Sequence, residues 1–387
     1  MRKITPYSTQ FIDRKDITAV VKVLNSKFLT QGPTVGKFEK AIAKKVNAKY
    51  SVAFNSATSA LHASCLALAL KKNEIVWTVP NTFVASANCA LLAGGKVDFV
   101  DINPTTKNMD LEALEKKLIK AKKQKKLPKI IIPVHFAGNP YPQDKIKALS
   151  KKYNFKVIED ASHAMGAIYK KEKVGSCKWS DITVFSFHPV KIITTIEGGI
   201  ATTNSLQLYN NLKLFGNHGI TKDKKKFKIK NQGDWYYEQQ VLGLNYRMSD
   251  VSAALGLSQL KKLDSFIKER NYIADYYLKK LNQKFIRLPR KSKLSLCTFH
   301  LFVIKVKDYK TRNTLFDLLR KNNFLVNLHY LPVHLQPYFR KKGFKSGMFK
   351  ESEDHSKKSI SLPIYPGLKL ERVKKTINLI NKFFKDR

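Results

Sequence analysis

Thr183-Val184-Phe185-Ser186-Phe187-His188-Pro189-Val190-Lys191, running on to Glu197-Gly198-Gly199, sets a lysine just beyond a short apolar run, beside a hydroxyl, a histidine and a glycine pair. Upstream, Val157-Ile158-Glu159-Asp160-Ala161-Ser162-His163 closes a second apolar run with an acid. Short apolar runs bounded by polar turns read as strands buried on both faces, the signature of a parallel sheet. Open α/β sheets gather ligands beyond the carboxyl ends of their strands. The two stretches therefore place an acid and a lysine at one edge of one sheet.

Working outward, residues 50–205 alternate short apolar runs with amphipathic ones. This predicts an α/β layered domain with a mainly parallel sheet of seven strands. The strands are expected at Tyr50–Phe54, Ile75–Val79, Val97–Val100, Ile130–Val134, Lys156–Ile158, Ile182–Phe185 and Gly199–Thr203. Helices are expected at Ala57–Ala69, Ala85–Leu92, Leu111–Lys120 and Gln143–Lys152. Beyond Asp250 the pattern changes to long helices at Val251–Leu263 and Phe266–Leu281. A strand at Thr298–Val306, a helix at Thr311–Lys321 and a closing helix at Arg372–Phe384 follow. The expected division is a large domain, 12–250, and a smaller C-terminal α/β domain, 251–387, with segment 1–11 packed nearby.

The chain has 387 residues and a net charge of +43. That charge invites a nucleic-acid reading. Lysine is spread through nearly every segment, however, and no basic run is interleaved with aromatics, so no specific nucleic-acid partner is expected. Ala121-Lys122-Lys123-Gln124-Lys125-Lys126 and Lys222-Asp223-Lys224-Lys225-Lys226 read as solvated helix ends or loops. No apolar run reaches membrane-spanning length, and Met1-Arg2-Lys3-Ile4-Thr5-Pro6-Tyr7 lacks an apolar signal segment. A cytoplasmic protein without a membrane partner is expected. Cys65, Cys89, Cys177 and Cys297 form no Cys-x-x-Cys pair and read as reduced, partly buried thiols. In Val326-Asn327-Leu328-His329-Tyr330-Leu331-Pro332-Val333-His334 the two histidines lack a third ligand, so no metal site is expected.

An amine at Lys191 and an acid at Asp160 suit pyridoxal 5′-phosphate: lysine forms a Schiff base with the cofactor aldehyde, and aspartate partners the protonated ring nitrogen. Asn55-Ser56-Ala57-Thr58-Ser59 follows a strand and opens a helix, where small residues let backbone N–H groups approach a phosphate. A plain N-cap by Ser56 accounts for the same pattern. Ser186 is a natural second phosphate ligand. Phe83 offers a ring to stack on a flat cofactor, or an ordinary core residue. His163 reads either as a cofactor contact or as a satisfied core histidine.

Taken together and in this order, these segments resemble the DegT-type nucleotide-sugar aminotransferases, a family of fold-type I pyridoxal phosphate enzymes, over essentially the whole chain. Leu29-Thr30-Gln31-Gly32-Pro33, Val134-His135-Phe136-Ala137-Gly138 and Leu242-Gly243-Leu244-Asn245-Tyr246-Arg247-Met248 carry the likeness further. Ser186–Thr195, Asp160–His163 and Trp235-Tyr236-Tyr237-Glu238-Gln239 are similar to the branch that acts in pseudaminic acid synthesis. The resemblance implies transfer of an amino group from L-glutamate to C4 of a UDP-linked keto sugar. It implies Lys191 as the Schiff-base lysine and Asp160 as the ring-nitrogen partner. Ala57, Thr58 and Ser186 fall in the phosphate and substrate cradle, Phe83 at the stacking ring and His163 beside it. Asn245 falls where a neighbouring subunit reaches the phosphate, which implies a homodimer with shared sites. Tyr7, Lys27, Phe28, Leu29, Thr30, His329, Tyr330, Leu331 and Pro332 fall where this branch contacts its sugar nucleotide. A dehydratase of the same fold typically carries His at the lysine position, and Lys191 speaks against it. An aminotransferase for another keto nucleotide sugar and a non-enzymatic basic binding module are the remaining alternatives.

Overall fold

A computed structural model describes residues 4–229 and 232–386. Residues 1–3 of the expected N-terminal segment and Arg387 of the expected C-terminal domain lie outside the described residues. The centre is a seven-stranded sheet. Its spatial order is Tyr50–Phe54, Gly199–Thr203, Ile182–Ser186, Lys156–Asp160, Ile130–Ile131, Ile75–Thr78, Lys96–Phe99. Gly199–Thr203 runs antiparallel to both neighbours, and every other pairing is parallel. The mainly parallel α/β fold read from the sequence is therefore the one observed.

Side chains alternate across the sheet, so each strand feeds two cores. Ile130 and Ile132 pack with Val76, Ile158 and the helix Ala57–Ala67. Ile131 and Val157 point the other way, against Leu114, Leu118 and Ile146 from helices Leu111–Lys123 and Gln143–Tyr153. Burial on both faces explains why these strands lack a polar period. The expected strand Ile130–Val134 is shorter because Pro133 has no N–H for the ladder. Pairing resumes at a single Val134–Asp160 bridge.

The helix Asp250–Leu260 packs Ala253 into the core shared by Phe38, Phe185 and Phe187. Its Asp250 is fully buried and accepts N–H bonds from Gly32 at 2.7 Å, Thr34 at 2.7 Å and Val35 at 3.3 Å. Those donors open the helix Pro33–Val46, whose positive end favours a carboxylate. Farther on, Phe302–Lys305 and Ser359–Leu362 form an antiparallel pair. Helices Leu263–Lys280, Tyr309–Lys321 and Leu370–Lys385 cover it through a separate core that includes Phe302, Ile304 and Ile377. The expected strand Thr298–Val306 begins late because Phe299 is left-handed (φ 45) and Arg270 binds the carbonyls of Phe299 and His300. Thr5–Pro6 pairs with Phe324–Leu325, which ties the N-terminal segment to this C-terminal layer. The four cysteines are free and buried. Among the described residues no helix is long and apolar enough to cross a membrane.

Candidate active site

Asp160 is the last residue of its strand and is 5% exposed. Its two oxygens are fixed separately: Ser86 Oγ donates to Oδ2 at 2.6 Å, and the Ser162 N–H donates to Oδ1 at 3.1 Å. Ser86 Oγ also lies 2.8 Å from the Thr82 hydroxyl. Ser86 was not legible as a site residue, because nothing local marks a helical serine that reaches across to a neighbouring strand. Ser186 ends the adjacent parallel strand and is buried. The chain then turns, and the Lys191 N–H donates to the His188 carbonyl at 2.9 Å. Burial pushes the Lys191 ammonium down to about 8, against the opposing pull of Asp160.

Gly199 pairs with Ser186 on one side and Phe54 on the other, so its antiparallel strand starts at this same sheet edge. A Cβ on Gly199 would meet the Ala57 nitrogen at 2.5 Å. Only glycine lets the helix Ala57–Ala67 begin this close to the sheet. Ser56 caps that helix by accepting the Ser59 N–H at 3.1 Å. The capped helix start thus also presents two N–H groups, those of Ala57 and Thr58, without acceptors among the described residues.

A ring of neutral histidines and tyrosines closes the other side. The Ala137 N–H donates to His163 Nδ1 at 3.3 Å, which puts the ring proton on Nε2; that nitrogen lies 3.1 Å from the Tyr330 hydroxyl. His300, unmarked in the sequence, packs on His163 at 4.3 Å between centroids. Burial, then the charge of Lys191, holds His163 well below the usual imidazole range. The same two causes push His329 down to about 3. Tyr7 lies 5.0 Å from His329, ring to ring, and burial raises its phenol. Behind this ring, His135 sits 3.5 Å from Glu159, which also accepts from Tyr141 and Gln143.

The fold thus brings Lys191, Asp160, His163, Ser186, Ala57, Thr58, Tyr7, His329 and Tyr330 to one edge of the sheet. Phe83 stands at the start of the helix after Ile75–Thr78 and is 60% exposed. Pro332 is buried and Leu331 is exposed. Lys27, Phe28, Leu29 and Thr30 form an exposed strip anchored elsewhere: Leu29 accepts from the Asp250 N–H at 2.9 Å, and Thr30 bridges Ser249. Asn245 is exposed, and its own carbonyl lies 3.4 Å from the Asn55 amide nitrogen. No contact joins either of these groups to Lys191 within the described residues of the chain.

The model of the DegT/DnrJ/EryC1/StrS aminotransferase family matches residues 10–381. The chain belongs to that family. It is 38% identical over 375 residues to the UDP-4-amino-4,6-dideoxy-N-acetyl-beta-L-altrosamine transaminase of Campylobacter jejuni serotype O:2, covering 95% of this chain and 94% of the relative. The solved structure of Helicobacter pylori PseC, an aminotransferase of pseudoaminic acid biosynthesis, superposes with a TM-score of 0.90 at 31% identity, covering 100% of both chains. The Streptococcus pneumoniae sugar aminotransferase Spr1654 in its PLP form gives a TM-score of 0.88 at 26% identity over 99% of both chains. This family member is a pyridoxal phosphate-dependent nucleotide-sugar aminotransferase. Its residues fit the cofactor. An amine of lowered basicity faces a buried carboxylate, and a helix N-terminus with unpaired N–H groups lies over a glycine between them and the outer strand.

Proposed function

We propose that this enzyme moves an amino group from L-glutamate to C4 of a UDP-linked 4-keto-6-deoxy-N-acetyl hexosamine. The product would be UDP-4-amino-4,6-dideoxy-N-acetyl-β-L-altrosamine, for pseudaminic acid synthesis. The observation that carries the reading is the Lys191 amine, held at about 8 beside a buried Asp160 at the end of the sheet. The similarity to the Campylobacter altrosamine transaminase and to Helicobacter PseC supports the choice of sugar.

When bound, pyridoxal phosphate supplies an electron sink at the Lys191 amine. Lys191 takes a proton from the α-carbon of the donor amino acid and later delivers one to C4 of the sugar. Asp160, with Ser86 and the Ser162 N–H fixing its oxygens, holds its negative charge towards the ring nitrogen. Ala57, Thr58 and Ser186 hold the phosphate, Phe83 covers one face of the ring, and His163 stands beside it. Neutral His163, His300 and His329 leave Lys191 as the base that titrates near neutrality. Tyr7, Lys27, Phe28, Leu29, Thr30, His329, Tyr330, Leu331 and Pro332 contact the sugar nucleotide.

The enzyme acts as a cytoplasmic homodimer in which Asn245 reaches the phosphate of the neighbouring subunit. The exposure of Asn245, Phe28 and Leu242 supports a partner at that surface. Residues 12–250 form the cofactor domain and 251–387 the smaller one, with helix Asp250–Leu260 packed on the former. The test is product NMR after incubation with L-glutamate and a panel of UDP- and dTDP-linked keto sugars. Amination at C4 of the UDP-linked 4-keto sugar is the expected result. Conversion of a different keto sugar, with that one left untouched, moves the enzyme to another substrate.

A further inference from the structure

The Pro104–Lys107 turn, the 286–290 segment and the strand Phe302–Lys305 line a partly open cavity of about 360 Å³. Of the groups described in the active site only Ala137, whose N–H meets His163, also lines it. Lys107, Arg287, Arg290 and Lys305 line one side, and no carboxylate lines it among the described residues. The cations are forced together. Arg287 and Lys305 stand opposite each other in an antiparallel bridge, an arrangement that destabilises like charges. Asp354 pairs with Lys305, but it also pairs with Lys358 and so is shared. Lys107 is left-handed (φ 64), and among the described residues its amine has the Pro104 carbonyl as its hydrogen-bond acceptor, with Glu351 and Asp354 acting at longer range. Burial, then repulsion from Lys305, pushes that ammonium down to about 8.

The cavity holds more than charge. Phe136 and Phe299 give it aromatic walls. Two buried polar atoms on its lining residues lack partners among the described residues: His355 Nδ1 and Asn139 Oδ1. Buried polar atoms are rarely left unpaired, and here both sit just beneath one concave surface. The loop is held in shape from behind, since Asn103 Oδ1 accepts the N–H groups of Thr105 at 3.0 Å and Thr106 at 3.1 Å. Cations gathered in a hollow of this size suit phosphate groups, for which guanidinium forks are well matched. Aromatic walls suit a flat body attached to them. A concave lining rather than a flat basic surface favours a small molecule over a macromolecular polyanion.

The geometry points to a binding site in this cavity for a phosphorylated small molecule with a planar body, of the nucleoside diphosphate class, separate from the catalytic centre. Its occupancy has a short path to that centre. The other nitrogen of His355 lies 3.0 Å from the His329 carbonyl, and the next residue, Tyr330, meets His163. Because the His329 carbonyl only accepts, Nε2 of His355 carries the ring proton, and Nδ1 stands as an acceptor for an N–H of the planar body.

The experiment is calorimetric titration of the holoenzyme with ADP and, separately, with inorganic pyrophosphate. ADP keeps the site distinguishable from one that reads uridine. The expected result is saturable ADP binding at one site per chain, tighter than pyrophosphate. It should weaken at least about tenfold in Lys107→Gln/Arg287→Gln and stay unchanged in Lys191→Ala. Because these substitutions relieve repulsion, the double variant should melt no lower than wild type, which separates loss of the site from loss of the fold. Absence of saturable ADP binding, or equal binding by the double variant, overturns the site. Pyrophosphate binding as tightly as ADP overturns the planar body.

Discussion

Lys191 and Asp160 share one sheet edge but solve opposite problems. A buried ammonium is disfavoured, so Lys191 loses its proton near pH 8 and becomes a usable nucleophile there. Capture of pyridoxal phosphate by the cofactor-free enzyme should therefore quicken with pH and level off above an inflection at about 8. Stopped-flow absorbance measures this, and a rate still climbing towards pH 10 would contradict the burial argument. The sign for stability is equally fixed. A lysine at about 8 when folded and about 10.4 when unfolded binds fewer protons in the native state, so its contribution to stability rises with pH across that window. Asp160→Asn keeps the bond from Ser86 but loses the charge. Turnover should fall on the order of a hundredfold or more, with a melting temperature close to wild type. Activity within a few-fold of wild type would remove Asp160 from the chemistry. Lys191→Ala should abolish both transamination and the borohydride-reducible cofactor link.

The helix Pro33–Val46 depends on a residue far away in sequence. Asp250 supplies its N-terminal N–H groups with a buried carboxylate, while Gly32 at the N-cap offers no side chain. Asp250→Ala should cost about 3 kcal/mol, read from chemical denaturation, because it removes a buried carboxylate from three half-buried donors at once. Loss of less than 1 kcal/mol would mean water replaces the carboxylate. The same element shows where sequence reading stops. The seven strands were legible, since burial on both faces leaves short, mostly apolar runs at Tyr50–Phe54 and Ile182–Ser186, free of charged residues. Strand ends at Pro133 and Phe299 were not, because a missing donor and a distant arginine set them. Within the site, Lys191, Asp160 and Ser186 stood out by following apolar runs. Ser86 and His300 reach it through packing between elements, and no local pattern announces that.

At the scale of the whole molecule, the exposed Asn245 and the Lys191 cluster belong to one reaction only if two chains meet. Mixing Lys191→Ala with Asn245→Ala chains tests this. In a hybrid dimer with shared sites, one site carries both lesions and the other carries neither. Activity should recover to roughly a quarter of wild type when subunits exchange freely. No recovery under verified exchange, with Asn245→Ala alone impaired, would assign Asn245 to its own chain. A different long-range tie runs through Arg270, which is fully buried and held at about 9 by burial. Its guanidinium meets the carbonyls of Phe299, His300 and Ile364, and it reaches Ser8 at 3.5 Å. Ser8 in turn donates to the carbonyl of Val190, the residue before Lys191, at 3.0 Å. The segment Thr5–Ser8 is thus stitched to the turn that carries Lys191. Anyone preparing this enzyme with a purification handle should attach it by a spacer or at the opposite end. A fusion that disturbs Thr5–Ser8 would slacken the turn that aims the catalytic amine, yielding soluble, cofactor-loaded preparations that turn over slowly.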